Sequence, residues 1–402
     1  MVYTLTEFQT LCSTHPTPLD FLPTQDGGNF RICGEADSRF RIVRYDKKVT
    51  DMKNPLSKWM RSTVWDMQTN RPVCVSPPKA EADEQPPCGT SLLIQDFVDG
   101  TMMNAFWYKE GDTWSYKLAT RSQLGAGGNF YSQKSFAQLF EEAIDFSTIS
   151  LEGIQDTLGC KDAVGYFASF VLQHPEHRVV TRITNPNVFV VHVGCTLADG
   201  TVKIEEVSET TANLNLNAMA LSKEYPMTGF KKDEDYNSFL NSLLKTRGWF
   251  WQGLTFKDGK GRRWRVRNPN YLTLRALRGS EALPLDRWLR LRRNGQVMEY
   301  LKHYGEERNV FWDFEQTFRK LTSEVFDAYC SVHKAHTSKL TDHPKHISPC
   351  VFRLHAHYLE HLKPDNQTVR MRDCVEVING MTLLEQKRLM TPRDAPALNA
   401  VA

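Results

Sequence analysis

A chain of 402 residues with 41% hydrophobic and 24% charged residues is longer than one hydrophobic core usually serves, and its balance is that of a globular protein. That composition excludes the disordered and fibrous classes. No run approaches the roughly 18 apolar residues of a membrane span, and the opening Met1-Val2-Tyr3-Thr4-Leu5-Thr6-Glu7 segment lacks a basic-then-apolar leader, so neither secretion nor membrane embedding is expected. Nine scattered cysteines without a Cys-x-x-Cys pair fit free thiols in a cytosol-like compartment. The net charge of +3 is small, yet residues 257–293 hold twelve Lys or Arg against three Asp or Glu. Such a block commonly faces phosphate; otherwise it is a solvated basic face.

In chain order, residues 75–90 carry four prolines and several acids and read as an exposed connection. Strands are expected next over 91–98, 101–108 and 113–120, with Glu110-Gly111-Asp112 turning the last two into a hairpin. Phe136, Leu139, Phe140, Ala143 and Ile144 then mark one face of a short helix. Further hairpins are expected from strands 188–195 and 201–206 around Asp199-Gly200, and from 250–256 and 262–267 around Asp258-Gly259. Between them Tyr236, Phe239, Leu240, Leu243 and Leu244 mark a second helix that Gly248 can close. From about residue 285 the spacing of Trp312, Phe314, Phe318, Leu321, Val325, Phe326 and Tyr329 is helical, and this stripe reads as core. The expected fold is therefore α+β, with an antiparallel-sheet domain over 1–284 and a helical domain over 285–402.

Phe97-Val98-Asp99-Gly100 resembles Lys-x-Asp-Gly, in which a lysine attacks the α-phosphate of ATP, but phenylalanine has no nucleophilic atom. Other segments fall in order around it: Arg61-Ser62-Thr63-Val64-Trp65-Asp66, Lys79 after Ser76-Pro77-Pro78, and Thr120-Arg121-Ser122. Phe170-Val171-Leu172, Gln252-Gly253-Leu254 and Arg265-Val266-Arg267 follow. Together, over roughly residues 40–275, they resemble the ATP-dependent RNA ligases of T-even phages, members of the covalent nucleotidyltransferase superfamily. The resemblance implies an ATP-grasp-like nucleotidyltransferase domain that takes ATP or another nucleotide, with RNA as partner. It places Asp99 at the ribose, Gln252 at the nucleoside, and Arg61, Lys79, Arg265 and Arg267 at the phosphates, with Gly100 and Arg121 also in the nucleotide-binding set. Val171 and Gln252 stand where the family has glutamates, and neither supplies an anionic oxygen to Mg²⁺. Every phosphate cation is kept or has become arginine, which adds a bidentate fork. The pattern implies phosphate binding without a lysyl-AMP and without an assigned catalytic or metal residue. It leaves open an active ligase with a relocated nucleophile, Lys79 for example, and a non-catalytic scaffold. Such relatives are met in large DNA viruses and phages, which implies a viral source and a location in the host cytoplasm or with the virus.

The carboxy-terminal part is rich in histidine, and His357-Tyr358-Leu359-Glu360-His361 spells the inverted zinc-peptidase motif without a clear third ligand downstream. A structural zinc on these histidines and Cys350 is the other metal reading, and helix-surface or core histidines are the plain one. Arg287-Trp288-Leu289-Arg290-Leu291-Arg292-Arg293 interleaves basic and apolar residues. It reads either as an RNA grip with Trp288 stacking on a base, or as an amphipathic helix with Trp288, Leu289 and Leu291 packed inward.

Overall fold

A computed structural model describes residues 1–22, 29–35, 38–82, 85–209, 211 and 219–391. The chain divides into two units, Met1–Ala276 and Leu277–Ala402, eight residues before the position expected from composition. No helix among the described residues is long and apolar enough to cross a membrane.

The first unit begins with β1 (Val2–Leu5), α1 (Glu7–Thr14), β2 (Arg31–Cys33), β3 (Phe40–Arg44), β4 (Thr63–Asp66), β5 (Arg71–Val75) and β6 (Glu81–Ala82). It continues through β7 (Leu92–Asp96), β8 (Thr101–Glu110), β9 (Thr113–Ala119), α2 (Phe136–Ala143), α3 (Leu151–Leu158) and β10 (Gly165–Gln173). β11 (Asn187–Thr196), β12 (Val202–Glu206), α4 (Asp233–Thr246), β13 (Gly253–Asp258), β14 (Arg263–Arg267) and α5 (Pro269–Arg278) complete it, the division falling in the last turn of α5.

Three sheets result, in the orders β1-β12-β11-β10-β8-β9, β6-β14-β13-β7 and β2-β3-β4-β5. All pairings are antiparallel except the short β6–β14 pair. Strand alternation explains why the six-stranded sheet is buried on both faces. On β8, Phe106 and Tyr108 join the core built with the β2–β5 sheet, whereas Met103, Ala105 and Trp107 join the core covered by α2 and α3. A capping box between Ser135 and Gln138 starts α2, and Gly159, left-handed at φ 57°, ends α3. A third core lies under α4, where Tyr236, Phe230 and Trp251 meet Leu254, Phe256 and Trp264.

The expected α+β class with antiparallel sheets is present, and so are the three hairpins. Two local readings are corrected. Val75 to Pro78 are buried, and Glu81–Ala82 forms a strand, so 75–90 is not simply an exposed connection; residues 83 and 84 of it lie outside the described residues. The α4 helix ends at Thr246 with an extended Arg247, whose N–H reaches the Leu243 carbonyl, so Gly248 does not close it.

The second unit is helical: α6 (Pro284–Arg293), α7 (Val297–His303), α8 (Arg308–Tyr329), α9 (Ser348–His357), α10 (Met371–Gly380) and α11 (Leu383–Met390). π-helical turns follow α8 at Cys330–Lys334 and α9 at Tyr358–Leu362. On α8 the buried positions Phe311, Phe314, Phe318, Thr322, Val325 and Tyr329 make one stripe, as the spacing predicts. Trp312 is off that stripe and 64% exposed, which corrects its placement in the core.

Candidate functional site

β14 reads Arg263-Trp264-Arg265-Val266-Arg267, and successive strand residues point to opposite faces. Trp264 and Val266 therefore pack into the core under α4 while the three arginines share the other face. Across the hairpin, Lys257, Thr255 and Gly253 pair with Arg263, Arg265 and Arg267 and lie on that same face. The three arginines, Lys257 and Thr255 line a cleft of about 230 Å³, with Arg61, Gln95, Phe97, Asp99, Gly100, Val171, Gln252 and Arg275 on its other walls.

Of the residues singled out from sequence, Arg61, Asp99, Gly100, Gln252, Arg265 and Arg267 meet in this cleft. Lys79 and Arg121 are not in its lining. The Lys79 N–H bonds the Lys58 carbonyl, and the Arg121 guanidinium lies 5.0 Å from the Tyr45 ring centroid. Arg121 still bears on the site through its charge. Burial lowers the Arg61 pKa to about 10; Tyr45 opposes the shift, and the charges of Arg263, Arg121 and Arg265 add to it. Neither Arg61 nor Arg265 has an acceptor or ion-pair partner among the described residues. Gln252 is 6% exposed and its Oε1 is buried with no hydrogen-bond partner.

Where the nucleophile would stand, the Phe97 ring lies 5.7 Å from the Arg267 guanidinium, a cation–π distance, and the Phe97 N–H bonds the Gly253 carbonyl at 2.9 Å. The residues after it have structural reasons to be as they are. A Cβ on Gly100 would overlap the Leu172 carbonyl oxygen and come within 2.7 Å of Val171 Cγ1. One on Gly253, at φ 137°, would overlap the Val266 carbonyl oxygen. Asp99 Oδ2 accepts the Val180 and Thr181 N–H groups at 3.0 and 2.9 Å, and its Oδ1 accepts the Tyr271 hydroxyl at 2.6 Å. Asp96 Oδ1 likewise accepts Tyr225 Oη and Trp251 Nε1, at 2.8 and 2.7 Å. The carboxylates of the cleft are thus engaged by the protein, and a role for Asp99 at a ribose must share its oxygens with three internal donors.

Behind the cleft lies a buried ionic group that sequence reasoning missed. Glu206, at the end of β12, accepts the Tyr3 hydroxyl at 2.9 Å, the Arg263 guanidinium on both oxygens, and Lys257 Nζ at 3.1 Å. Lys257 also donates to Gln95 Oε1 at 2.7 Å. Burial alone would raise the Glu206 pKa, but Arg263 and Lys257 outweigh it and hold the carboxyl well below its usual range. Burial pulls the Lys257 ammonium down to about 8, against the pull of Glu206. One carboxylate facing two cations leaves a net positive charge toward the cleft.

These residues do not fit a divalent cation. The available oxygens are the neutral Gln252 amide and carboxylates already bonded, and Mg²⁺ needs hard anionic ligands. Elsewhere, Glu142, His174 and Glu176 cluster closely enough to hold a metal, but Lys134 Nζ already sits between the two glutamates at 2.9 and 2.6 Å.

The basic block 257–293 divides in two. Arg263, Arg265, Arg267 and Arg275 line the cleft, whereas Arg287 pairs with Glu307 at 2.7 and 2.8 Å and Arg290 with Glu281 at 2.7 Å. Trp288 is buried between Phe314 and Phe318, so the RNA grip expected at 287–293 gives way to the inward-packed helix. In the histidine-rich region, His357 and His361 straddle the step from α9 into a π turn, with ring centroids 4.9 Å apart. Among the described residues neither they nor Cys350, whose thiol contacts Met381 Sδ at 3.8 Å, belong to a cluster of three metal donors.

The chain matches no protein-family model and no curated protein.

Proposed function

We propose that the cleft binds the phosphate of a nucleotide, such as ATP, or of an RNA end, and that no adduct forms at residue 97. The observation that carries this reading is the placing of Arg265 and Arg61, charged and without acceptors among the described residues, in a cleft whose carboxylates are bonded elsewhere. A phosphate supplies the missing acceptors, and guanidinium groups take it in bidentate fashion. The order of segments along the chain supports an RNA-ligase-like nucleotidyltransferase domain that has kept its phosphate cations and lost the nucleophile and metal carboxylates.

The test is intact-mass spectrometry after incubation with ATP and Mg²⁺, together with melting-temperature titrations of ATP and of a 5′-phosphorylated oligoribonucleotide. A ligand-dependent rise without a mass gain is the expected result, and Arg265→Ala should reduce the rise. No response to either ligand would sink the proposal and favour a scaffold.

The relocated-nucleophile reading changes residue. Lys79 does not line the cleft; Lys257 does, and it is the amine among the described lining residues. An AMP-sized mass gain lost in Lys257→Arg would replace the binding-only reading with that one.

A further inference from the structure

The second unit contains a groove of about 740 Å³ that the nucleotide reading does not use. Trp288 and Phe311 form part of its floor, and both are buried. Its rim is different in kind. Met298 of α7 is 72% exposed and Trp312 of α8 is 64% exposed, although their neighbours Leu301 and Phe311 are buried. A tryptophan displaced from its helix's buried stripe and left at the mouth of a groove is an apolar surface with no partner among the described residues of this unit.

The charges around it narrow the occupant. Glu315 is the acid among the described lining residues, and Arg292 and Arg319 already bind it at 3.3 and 2.7 Å. Arg293 donates to the Met381 carbonyl, an acceptor without charge, and the exposed Arg308 has no acceptor among the described residues. The groove therefore presents two uncompensated guanidinium groups beside an exposed indole. A second copy of this chain or an apolar peptide would cover the indole and leave those charges desolvated and unpaired. A single nucleic-acid strand offers a flat base to the indole and a phosphate to each arginine.

We infer that this groove is a binding site for single-stranded nucleic acid, with Trp312 stacking on a base and Arg308 and Arg293 meeting the backbone. The groove shares no lining residue with the cleft of the first unit, and the inference stands without that cleft. The aromatic-and-basic grip that the sequence offered as one reading at Trp288 falls instead to Trp312, two helices further on.

The test is fluorescence polarisation of the full chain with a short fluorescein-labelled oligoribonucleotide bearing a 5′-hydroxyl, which lacks the terminal phosphate offered to the cleft. Trp312→Ala should weaken binding at least about fivefold, the lower bound for losing one stacked base, and Trp312→Phe should restore most of it. Arg308→Glu should weaken binding and flatten its salt dependence. Both side chains are exposed, so the melting temperature and its nucleotide-dependent shift should stay as in the parent. Undiminished binding in both Trp312→Ala and Arg308→Glu would overturn the inference, as would failure of the parent protein to bind the oligonucleotide. So would a parent dimer in sedimentation that Trp312→Ala turns to monomer, since a second copy would then be the occupant.

Discussion

Replacing Glu206 by Gln tests whether the wall of the cleft rests on a buried ion group. The substitution keeps the shape and an acceptor for the Tyr3 hydroxyl, but it leaves Arg263 and Lys257 facing each other without a carboxylate. Removing one member of a buried ion pair costs about 3–5 kcal/mol, because the remaining charge is desolvated and unpaired. For a unit of this size that corresponds to a fall in melting temperature of about 6–20 °C at pH 7. Lys257, already drawn down to about 8 by burial, would lose its proton at lower pH once Glu206 no longer holds it. The deficit of the variant should therefore shrink as the pH rises toward 9, leaving Arg263 as the unpaired charge. On the acid side the sign reverses. The folded-state pKa of Glu206 lies below its ordinary 4.5, so its contribution is complete above about pH 4.5 and is lost as the pH falls through the folded value. Parent and variant should converge there. Urea unfolding followed by tryptophan fluorescence at several pH values provides the comparison. A deficit below about 1 kcal/mol at pH 7, or one independent of pH, would refute the buried-pair account.

Gly100→Ala should destabilise the first unit by about 1–3 kcal/mol, since its Cβ meets the Leu172 carbonyl, and thermal denaturation without ligand would reveal it. Arg265→Glu should abolish ligand-dependent stabilisation without lowering the unliganded melting temperature, because Arg265 has no acceptor among the described residues to lose and its charge repels Arg61; a loss of stability would indicate a structural role instead. His192 is buried beside Phe167, and burial takes its pKa from 6.5 down to about 3 despite the pull of Glu206. The unfolded chain therefore takes up a proton that the folded chain refuses, and stability falls by up to about 1.4 kcal/mol per pH unit below 6.5. His192→Leu should flatten unfolding free energy between pH 6.5 and 4.5, where Glu206 does not yet titrate.

The parts of this fold legible in the sequence are those written in local chemistry. The Gly111-Asp112, Asp199-Gly200 and Asp258-Gly259 turns each declare a hairpin within a few residues, and the strands end close to where those signals place them. The β1–β12 pairing is not of that kind: Val2 meets Glu205 across the length of the first unit, and nothing near Val2 announces the partner. Glu206 was hidden for the same reason. A lone glutamate at a strand end has the appearance of a solvated residue until Tyr3, Lys257 and Arg263 arrive from distant positions to enclose it.

The Asp99-Gly100 pair illustrates how a chemical motif and a packing constraint share residues. Read alone, it suggests the remains of a catalytic signature, yet Asp99 ties the 180–181 backbone and Tyr271 together, and Gly100 admits the Leu172 carbonyl. Those contacts would require the pair even in a protein that never handled a nucleotide. The presence of Asp-Gly beside Phe97 is therefore weak evidence for chemistry at this position. The arginines carry more weight: Arg61 and Arg265 are held close to like charges with no acceptor among the described residues, an arrangement that costs stability and that packing alone does not require.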